Sequence, residues 1–334
     1  MERNQKIDII KGMLILFVVI GHYAADRVHD IIFLFHMPLF FMISGFLLKG
    51  EHLVEKGYIV NKIHTLIIPY LLYLFMDLFF IRRDYSLGSI VRTLWGGRAV
   101  PGVYWYITCF LFALFLLSMM IRYLSDKMVK TLILAGGGIA VIESHLMDKI
   151  HFLQSPGIPL NLDVTLMALV YVGIGFFCKK QIKQLAEIKS VKHDVISGVI
   201  ATGLALFCWC IYKGEKRLYY FDMKPVYYKD LLLAILIPCA FGLVLIRLVY
   251  WLNKAKWLKK MNGFFRLCGQ ATIPIMFMHV PLNHWKDSIG YGRVVYLLIG
   301  IGIPLAVTIV CNNIPVARNV LGLPKIDIKS LFQQ

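Results

Sequence analysis

Apolar residues are concentrated in repeated runs that short polar connectors separate. Each run approaches the roughly 20 residues that an α-helix needs to cross a hydrocarbon core, where helices and closed barrels alone satisfy their own backbone hydrogen bonds. The pattern indicates an all-α, polytopic integral membrane bundle over residues 1–334, a single domain with no separate soluble part. We predict about ten transmembrane helices, at residues 7–25, 31–48, 63–81, 104–122, 131–147, 162–178, 195–212, 231–250, 270–285 and 294–311.

Composition supports this class of protein and excludes others. Hydrophobic residues make up 59% of the chain and charged residues 16%, against about 45–50% and about 25% in soluble domains. The net charge of +17 comes from Lys and Arg in the connectors, and no nucleic-acid-binding pattern surrounds them, so we expect no nucleic-acid partner. The seven cysteines form no CxxC pair and no HExxH motif is present, so we expect neither a disulfide framework nor a metal site.

Connector charge predicts the orientation. Lys and Arg are more frequent on the side of the two termini, which predicts that both termini are cytoplasmic. Two connectors on the opposite side, "IRRDYSLGSIVRTLWGGRAVPG" and "RLYYFDMKPVYYKD", are nonetheless basic and aromatic. They fit interfacial anchoring, or a surface that holds a sugar polymer.

A polar stripe follows the first predicted helix. Asp8, Lys11 and His22 lie on one helical face, and Lys11 and His22 are roughly 16 Å apart along the axis. Ionisable groups at membrane depth are costly and commonly functional, although His22 alone also fits an interfacial residue. His36, in the second helix, is placed to approach His22 across the short connector, so packing and function are both open for it.

Six segments carry a family resemblance. They read "IDIIKGMLILFVVIGH", "FHMPLFFMISGFLL", "LIIPYLLY", "YWYITCFLFAL", "LDVTLMALVYVGIGF" and "LCGQATIPIMFMHVPL". Together they resemble the membrane-bound acyltransferase 3 family, especially its branch similar to fucose 4-O-acetylase. The resemblance implies transfer of an acetyl or other short acyl group from acyl-CoA, the cosubstrate, to a hydroxyl of a cell-envelope carbohydrate, in a bacterial cytoplasmic membrane.

The resemblance also implies roles for individual residues. Lys11 and His22 match the family spacing of a basic residue, ten intervening residues and an essential histidine, so His22 is the expected base or transient acyl carrier. Lys11 is expected to pair with a coenzyme A phosphate, with a salt bridge to Asp8 as the alternative. Lys62 fits the first position of the two-arginine motif before the third-helix proline, but Thr65 occupies the second.

Four further residues complete the predicted site. Asp163 is the preferred carboxylate to orient the catalytic imidazole, beside His36 as the second catalytic candidate. Trp105 and Tyr106 fit an aromatic belt or a sugar-stacking surface, and His279 fits substrate binding or a packed polar residue.

A transporter or exporter of carbohydrate or lipid-linked glycan is the alternative function. Intramembrane histidines would then couple protons or bind cargo. Secondary transporters commonly contain inverted repeats with paired broken helices, and no such pair is evident in this sequence. The missing repeats and the family motifs together favour the enzyme. A purely structural or sensory membrane protein ranks third, because it leaves the polar stripe without a purpose.

Overall fold

The computed structural model describes residues 5–48, 60, 61, 63–100, 102–214, 218–327 and 331. Helices account for nearly all regular structure in these ranges, beside one isolated bridge between Asp222 and Tyr227. The helices are α1 (Gln5–Gly21), α2 (Arg27–Phe33), α3 (His36–Leu47), α4 (Ile68–Met76), α5 (Leu87–Trp95), α6 (Trp105–Tyr123), α7 (Asp126–Leu146), α8 (His151–Gln154), α9 (Val164–Phe177), α10 (Lys179–Glu187), α11 (Val191–Lys213), α12 (Leu231–Lys254), α13 (Lys259–Gln270), α14 (Thr272–Leu282), α15 (Lys286–Ile289), α16 (Arg293–Leu297), α17 (Ile303–Val310) and α18 (Pro315–Leu321).

The all-α membrane architecture predicted from the sequence is confirmed. Among the described residues, 8 helical segments are long and apolar enough to span a membrane. They are Arg27–Leu47, His64–Arg82, Trp105–Tyr123, Asp126–Leu146, Pro159–Phe177, Val191–Lys213, Leu231–Lys254 and Arg293–Asn313. The other two predicted spans correspond to shorter helices, α1 with 17 residues and α14 with 11 residues.

The chain divides into two compact units. Unit 1 comprises Met1–Leu39, Lys180–Tyr219 and Leu236–Gln334, and unit 2 comprises Phe40–Lys179 and Tyr220–Ile235. The prediction of a single domain remains a prediction.

In unit 1, α1 is buried on most of its surface and crosses α13 at two glycines. A Cβ atom added at Gly12 would collide with the carbonyl oxygen of Phe265, and one added at Gly269 would collide with the carbonyl oxygen of Asp8. The two helices therefore approach backbone to backbone, the arrangement that small residues permit between membrane helices.

Helix α11 has a different environment. Of its 23 residues only Ile211 is buried, and apolar side chains such as Val199 and Leu206 are more than half exposed. An apolar helix with so little burial inside the protein is suited to contact with lipid.

Unit 2 contains a second glycine crossing, between α3 and α9. A Cβ atom at Gly45 would collide with the carbonyl oxygen of Val172, and one at Gly175 with that of Met42. The largest buried side chains around this crossing include Phe41 and Tyr171. The Tyr171 hydroxyl donates to the carbonyl oxygen of Ala234 at 2.7 Å.

Candidate active site

His22 lies immediately after the last residue of α1. The sequence placed it inside a helix extending to residue 25, but the chain leaves the helix at Gly21 and reverses into α2. Asp26 caps α2 by accepting hydrogen bonds from the backbone N–H groups of Val28 and His29, both at 3.0 Å. Such a cap favours a new helix start over a longer first helix.

The end of α1 is fixed by residues from α15 and α16. The Tyr296 hydroxyl donates to the carbonyl oxygen of His22 at 3.2 Å, and Lys286 Nζ donates to that of Tyr23 at 2.6 Å. Arg293 forms an ion pair with Asp26. Burial opposes ionisation of Asp26, but the hydrogen bonds from the His29 backbone and from Arg293 outweigh it, so its pKa is lowered from 3.8.

A histidine cluster, His22, His29, His36 and His279, surrounds this point within unit 1. The rings of His22 and His279 meet edge to face with centroids 5.1 Å apart. The ring of Phe33 contacts His22, His29 and His36, with centroid distances of 5.5, 3.6 and 4.6 Å respectively. The structure therefore gathers His22, His36 and His279, which the sequence singled out on separate helices.

Each histidine of the cluster has its Nδ1 atom beside a backbone carbonyl oxygen. For His22 the acceptor is Val18 at 2.7 Å, and His36 and His279 pair in the same way with the carbonyls four residues earlier, at 2.8 and 2.9 Å. A carbonyl only accepts, so Nδ1 carries the hydrogen and, in the neutral ring, Nε2 carries the basic lone pair. The cluster is thus set in one tautomer by the helix backbone itself.

Burial distinguishes the members of the cluster. His36 and His279 are 1% and 0% exposed, and the Nε2 atom of each is buried without a hydrogen-bond partner among the described residues. His22 is only partly buried. His29 is also partly buried, so His22 and His29 are the partly exposed members of the cluster and His36 and His279 are the enclosed ones.

His29 belongs to the cluster but was absent from the sequence prediction. Its Nδ1 atom donates to the carbonyl oxygen of Gly21 at 3.0 Å, which joins α2 to the end of α1. The sequence prediction left this residue in the connector "YAADRVHD" between two predicted spans, so helical periodicity was not applied to it. Its spacing of seven residues from His36 was the available signal, since such residues share a helical face.

Asp163, the predicted orienting carboxylate, has an arginine partner in unit 2. Its carboxylate forms an ion pair with Arg98, whose Nη2 atom also lies 3.8 Å from Glu143 Oε1. Arg98 further donates to the carbonyl oxygens of Leu153 at 2.9 Å and Lys224 at 3.2 Å. In unit 1 the Val18 carbonyl accounts for the orientation of His22, and the catalytic role of Asp163 stays a prediction.

The two basic, aromatic connectors noticed in the sequence meet in unit 2. Lys224 Nζ donates to the carbonyl oxygens of Val100 at 2.7 Å and Gly102 at 3.2 Å. Burial lowers the pKa of this lysine from 10.5 to about 8. Lys224 and Arg98 thus bind the connector before α6 to the connector before α12.

Two of the three residues predicted to hold the donor, Asp8 and Lys11, lie in the first half of α1. Asp8 is 5% exposed and accepts a hydrogen bond from Gln270 Nε2 at 3.3 Å. Lys11 is partly buried, and Lys62 lies outside the described residues. Arg266, on the same helix as Gln270, donates to Gln5 Oε1 at 2.9 Å, so α13 adds polar groups that sequence reasoning missed when it treated residues 251–269 as a connector.

Trp105 and Tyr106 begin α6 and are both buried, at 7% and 8% exposure. Their rings lie 6.5 and 5.1 Å from that of Phe41, and Tyr106 also stacks on Phe110 at 5.7 Å. Packing in unit 2 accounts for both side chains, and their predicted contact with a sugar remains a prediction.

Together these features define an integral membrane protein of apolar helices with a histidine cluster in which His36 and His279 are buried. A family model described as an acyltransferase domain matches residues 4–313. The chain therefore belongs to the acyltransferase 3 family and is a membrane acyltransferase, as the six sequence segments predicted. No curated protein and no solved structure matches the chain, and the fucose 4-O-acetylase branch stays a prediction.

Proposed function

We propose that the protein transfers an acetyl or other short acyl group from acyl-CoA to a hydroxyl of a cell-surface or exported carbohydrate. The observation that carries this proposal is the geometry of His22. Its Nδ1–H donates to the Val18 carbonyl, so Nε2 is the basic atom, and the ring is partly exposed. Family membership supplies acyl transfer as the reaction, and the acyl-CoA donor and the sugar acceptor extend it.

The chemistry needs one base. His22 Nε2 accepts the proton of the sugar hydroxyl while the hydroxyl oxygen bonds to the acyl carbonyl carbon. The carbon–sulfur bond of the thioester then breaks, and the imidazolium returns the proton to the departing thiolate. The Val18 carbonyl holds the ring in place and stabilises the imidazolium. Transient acylation of the same Nε2 atom is the alternative route.

The neighbouring histidine supports this role for His22. The His279 ring lies edge to face against that of His22, and the Asn283 amide donates to the His279 carbonyl oxygen at 2.7 Å. A buried, packed ring on one side restricts the directions in which the His22 ring turns. A base held in one orientation is more effective in proton transfer.

In this proposal the donor binds near the start of α1 and the acceptor binds near its end. Lys11 binds a coenzyme A phosphate, and His22 stands at the other end of the helix. Asp8 and Lys62 stay predicted donor contacts, and Lys62 lies outside the described residues. Roles for His36 and Asp163 in proton transfer, and for Trp105, Tyr106 and His279 in acceptor binding, stay predictions from the sequence. The protein lies in a bacterial cytoplasmic membrane with both termini cytoplasmic.

Release of coenzyme A from acetyl-CoA, with and without a cell-envelope glycan extract, tests the proposal. We expect glycan-dependent release, and its loss by about 10²- to 10⁴-fold in His22→Gln. His145→Gln is the matched control. His145 is exposed and its Nδ1 pairs with the carbonyl of Val141 at 2.9 Å, the same local bond as in His22.

The outcomes separate an enzyme from a transporter. Unchanged release in a folded His22→Gln protein contradicts the role of His22. Absence of release with several acyl-CoA donors, together with glycan flux into vesicles, contradicts acyl transfer to carbohydrate and supports the transporter.

A further inference from the structure

Unit 2 contains a pocket away from the histidine cluster, with a volume of about 380 Å³. This is within the range of about 300–1,000 Å³ that small-molecule sites occupy. Three guanidinium groups line it, those of Arg82, Arg92 and Arg98. The pocket is lined by the end of the span His64–Arg82 and by the connector that leads from it to the span Trp105–Tyr123. This connector is one of the two that are rich in basic and aromatic residues.

Two of these arginines have carboxylate partners. Arg82 pairs with Asp77 through two contacts to Oδ2, at 2.9 and 3.0 Å. Arg98 pairs with Asp163 and donates to backbone carbonyls of neighbouring connectors. These bonds make both guanidinium groups rigid parts of the pocket wall, and their charges are largely compensated.

Arg92 differs from the other two. It is exposed, and its guanidinium donates no hydrogen bond to another residue in the described part of the chain. Asp84, which also lines the pocket, attracts Arg92 electrostatically but accepts hydrogen bonds from Ser86 and Ser89. Arg92 is therefore a pocket-lining arginine whose donors are available to a ligand.

A partly buried lysine lies beside the pocket, where Lys224 Nζ donates to the carbonyl oxygen of the lining residue Val100 at 2.7 Å. Asp222 attracts its charge, and Arg82 and Arg98 repel it. A guanidinium with unused donors in such surroundings is suited to bidentate binding of a carboxylate or phosphate. The side chains of Leu74 and Leu78, which also line the pocket, offer an apolar surface for the carbon skeleton of a small ligand.

We propose that this pocket binds the carboxylate or phosphate group of an acidic sugar, with Arg92 as its principal contact. The inference rests on the proposed function in one respect: the bound sugar is taken as a residue of the acceptor carbohydrate. It deepens that function by assigning the acceptor to the acidic glycans.

Direct binding tests the pocket independently of acyl transfer. Purified full-length protein is titrated with glucuronate, glucose 6-phosphate and glucose, and binding is followed by saturation-transfer NMR. We expect the two acidic sugars to bind more tightly than glucose, and Arg92→Gln to weaken them about tenfold or more. Arg122→Gln is the matched control because Arg122 is an exposed arginine of the same unit that lies over the Tyr123 ring at 5.6 Å.

Three results would overturn the inference. They are equal binding of glucose and glucuronate, an equal effect of Arg92→Gln and Arg122→Gln, and absence of binding by any of the three sugars. A fourth comparison uses nanodiscs of phosphatidylcholine with and without phosphatidylglycerol. Loss of acidic-sugar binding in the anionic nanodiscs assigns the pocket to a lipid headgroup and also overturns it.

Failure of this inference is distinguishable from failure of the proposed function. His22-dependent acyl transfer to neutral glycans, without binding of acidic sugars, contradicts the inference and leaves the proposed function intact. Arg92-dependent binding of glucuronate in a protein that transfers no acyl group supports the pocket and contradicts the function.

Discussion

Replacing Gly12 by alanine places a methyl group where α1 crosses α13. The added carbon would collide with the carbonyl oxygen of Phe265. That oxygen belongs to the backbone of α13, so it cannot rotate away as the end of a flexible side chain would. The two helices must separate locally, and the reciprocal contact of Gly269 with the Asp8 carbonyl weakens at the same time.

The free energy of unfolding follows from two opposing effects. Overpacking a well-packed interior costs about 1–3 kcal/mol. Alanine is a better helix former than glycine, and this preference raises the free energy of unfolding by about 0.5–1 kcal/mol. For Gly12→Ala we therefore expect a net loss of about 0–2.5 kcal/mol in the free energy of unfolding, the difference between these ranges.

Unfolding of the purified protein in mild detergent measures this loss. Gly203→Ala, in α11, is the matched control, because an added Cβ there has no atom within 4 Å. It should be neutral or stabilising by up to about 1 kcal/mol. Equal stability of Gly12→Ala and Gly203→Ala would refute the close approach of α1 and α13.

Three more predictions concern the two units. Arg98→Met leaves Asp163 buried without its cation, so we expect the free energy of unfolding in detergent to fall by about 3–5 kcal/mol. The double variant Arg98→Met/Asp163→Leu should recover part of this loss, and no recovery would contradict the pairing. Lys224 has a folded pKa of about 8 against an ordinary 10.5, so the unfolded chain binds more protons between these values and stability rises with pH. Wild type should gain up to about 3 kcal/mol relative to Lys224→Met from pH 8 to 10.5, measured by unfolding at both pH values, and a constant difference would exclude this burial effect. His279→Gln should lower acyl transfer less than His22→Gln in the coenzyme A release assay, because the His279 ring is buried behind His22; equal losses would make both rings part of the reacting group.

Hydrophobic periodicity predicted the helices well because it is a local property. Each of the ten predicted spans coincides with helical structure, although α1 and α14 are shorter than the segments predicted for them. Because the prediction relied on apolar runs, it missed the polar helix α13. Its sequence "KKMNGFFRLCGQ" lacks a long apolar run, and Gly269 becomes informative once α1 is packed against it.

The candidate site also combines local contacts that the sequence predicts with long-range contacts that it does not. His22 and its Val18 acceptor are four residues apart, so their hydrogen bond follows from helical geometry that the sequence already contains. The contact of His22 with His279 joins residues from opposite ends of the chain. Asp163 illustrates the limit, since a carboxylate selected to orient a histidine pairs with Arg98, 65 residues earlier in the chain.

The sequence by itself determined the membrane architecture, the family and the candidate histidines, because apolar runs and motif spacing are written along the chain. The tertiary structure alone decided which ionisable side chains are neighbours within each unit. It grouped His29 with three other histidines and gave Arg98 two carboxylates. The physical reason is that burying a charge is costly unless a partner compensates it, and such partners come from distant segments that only packing brings together.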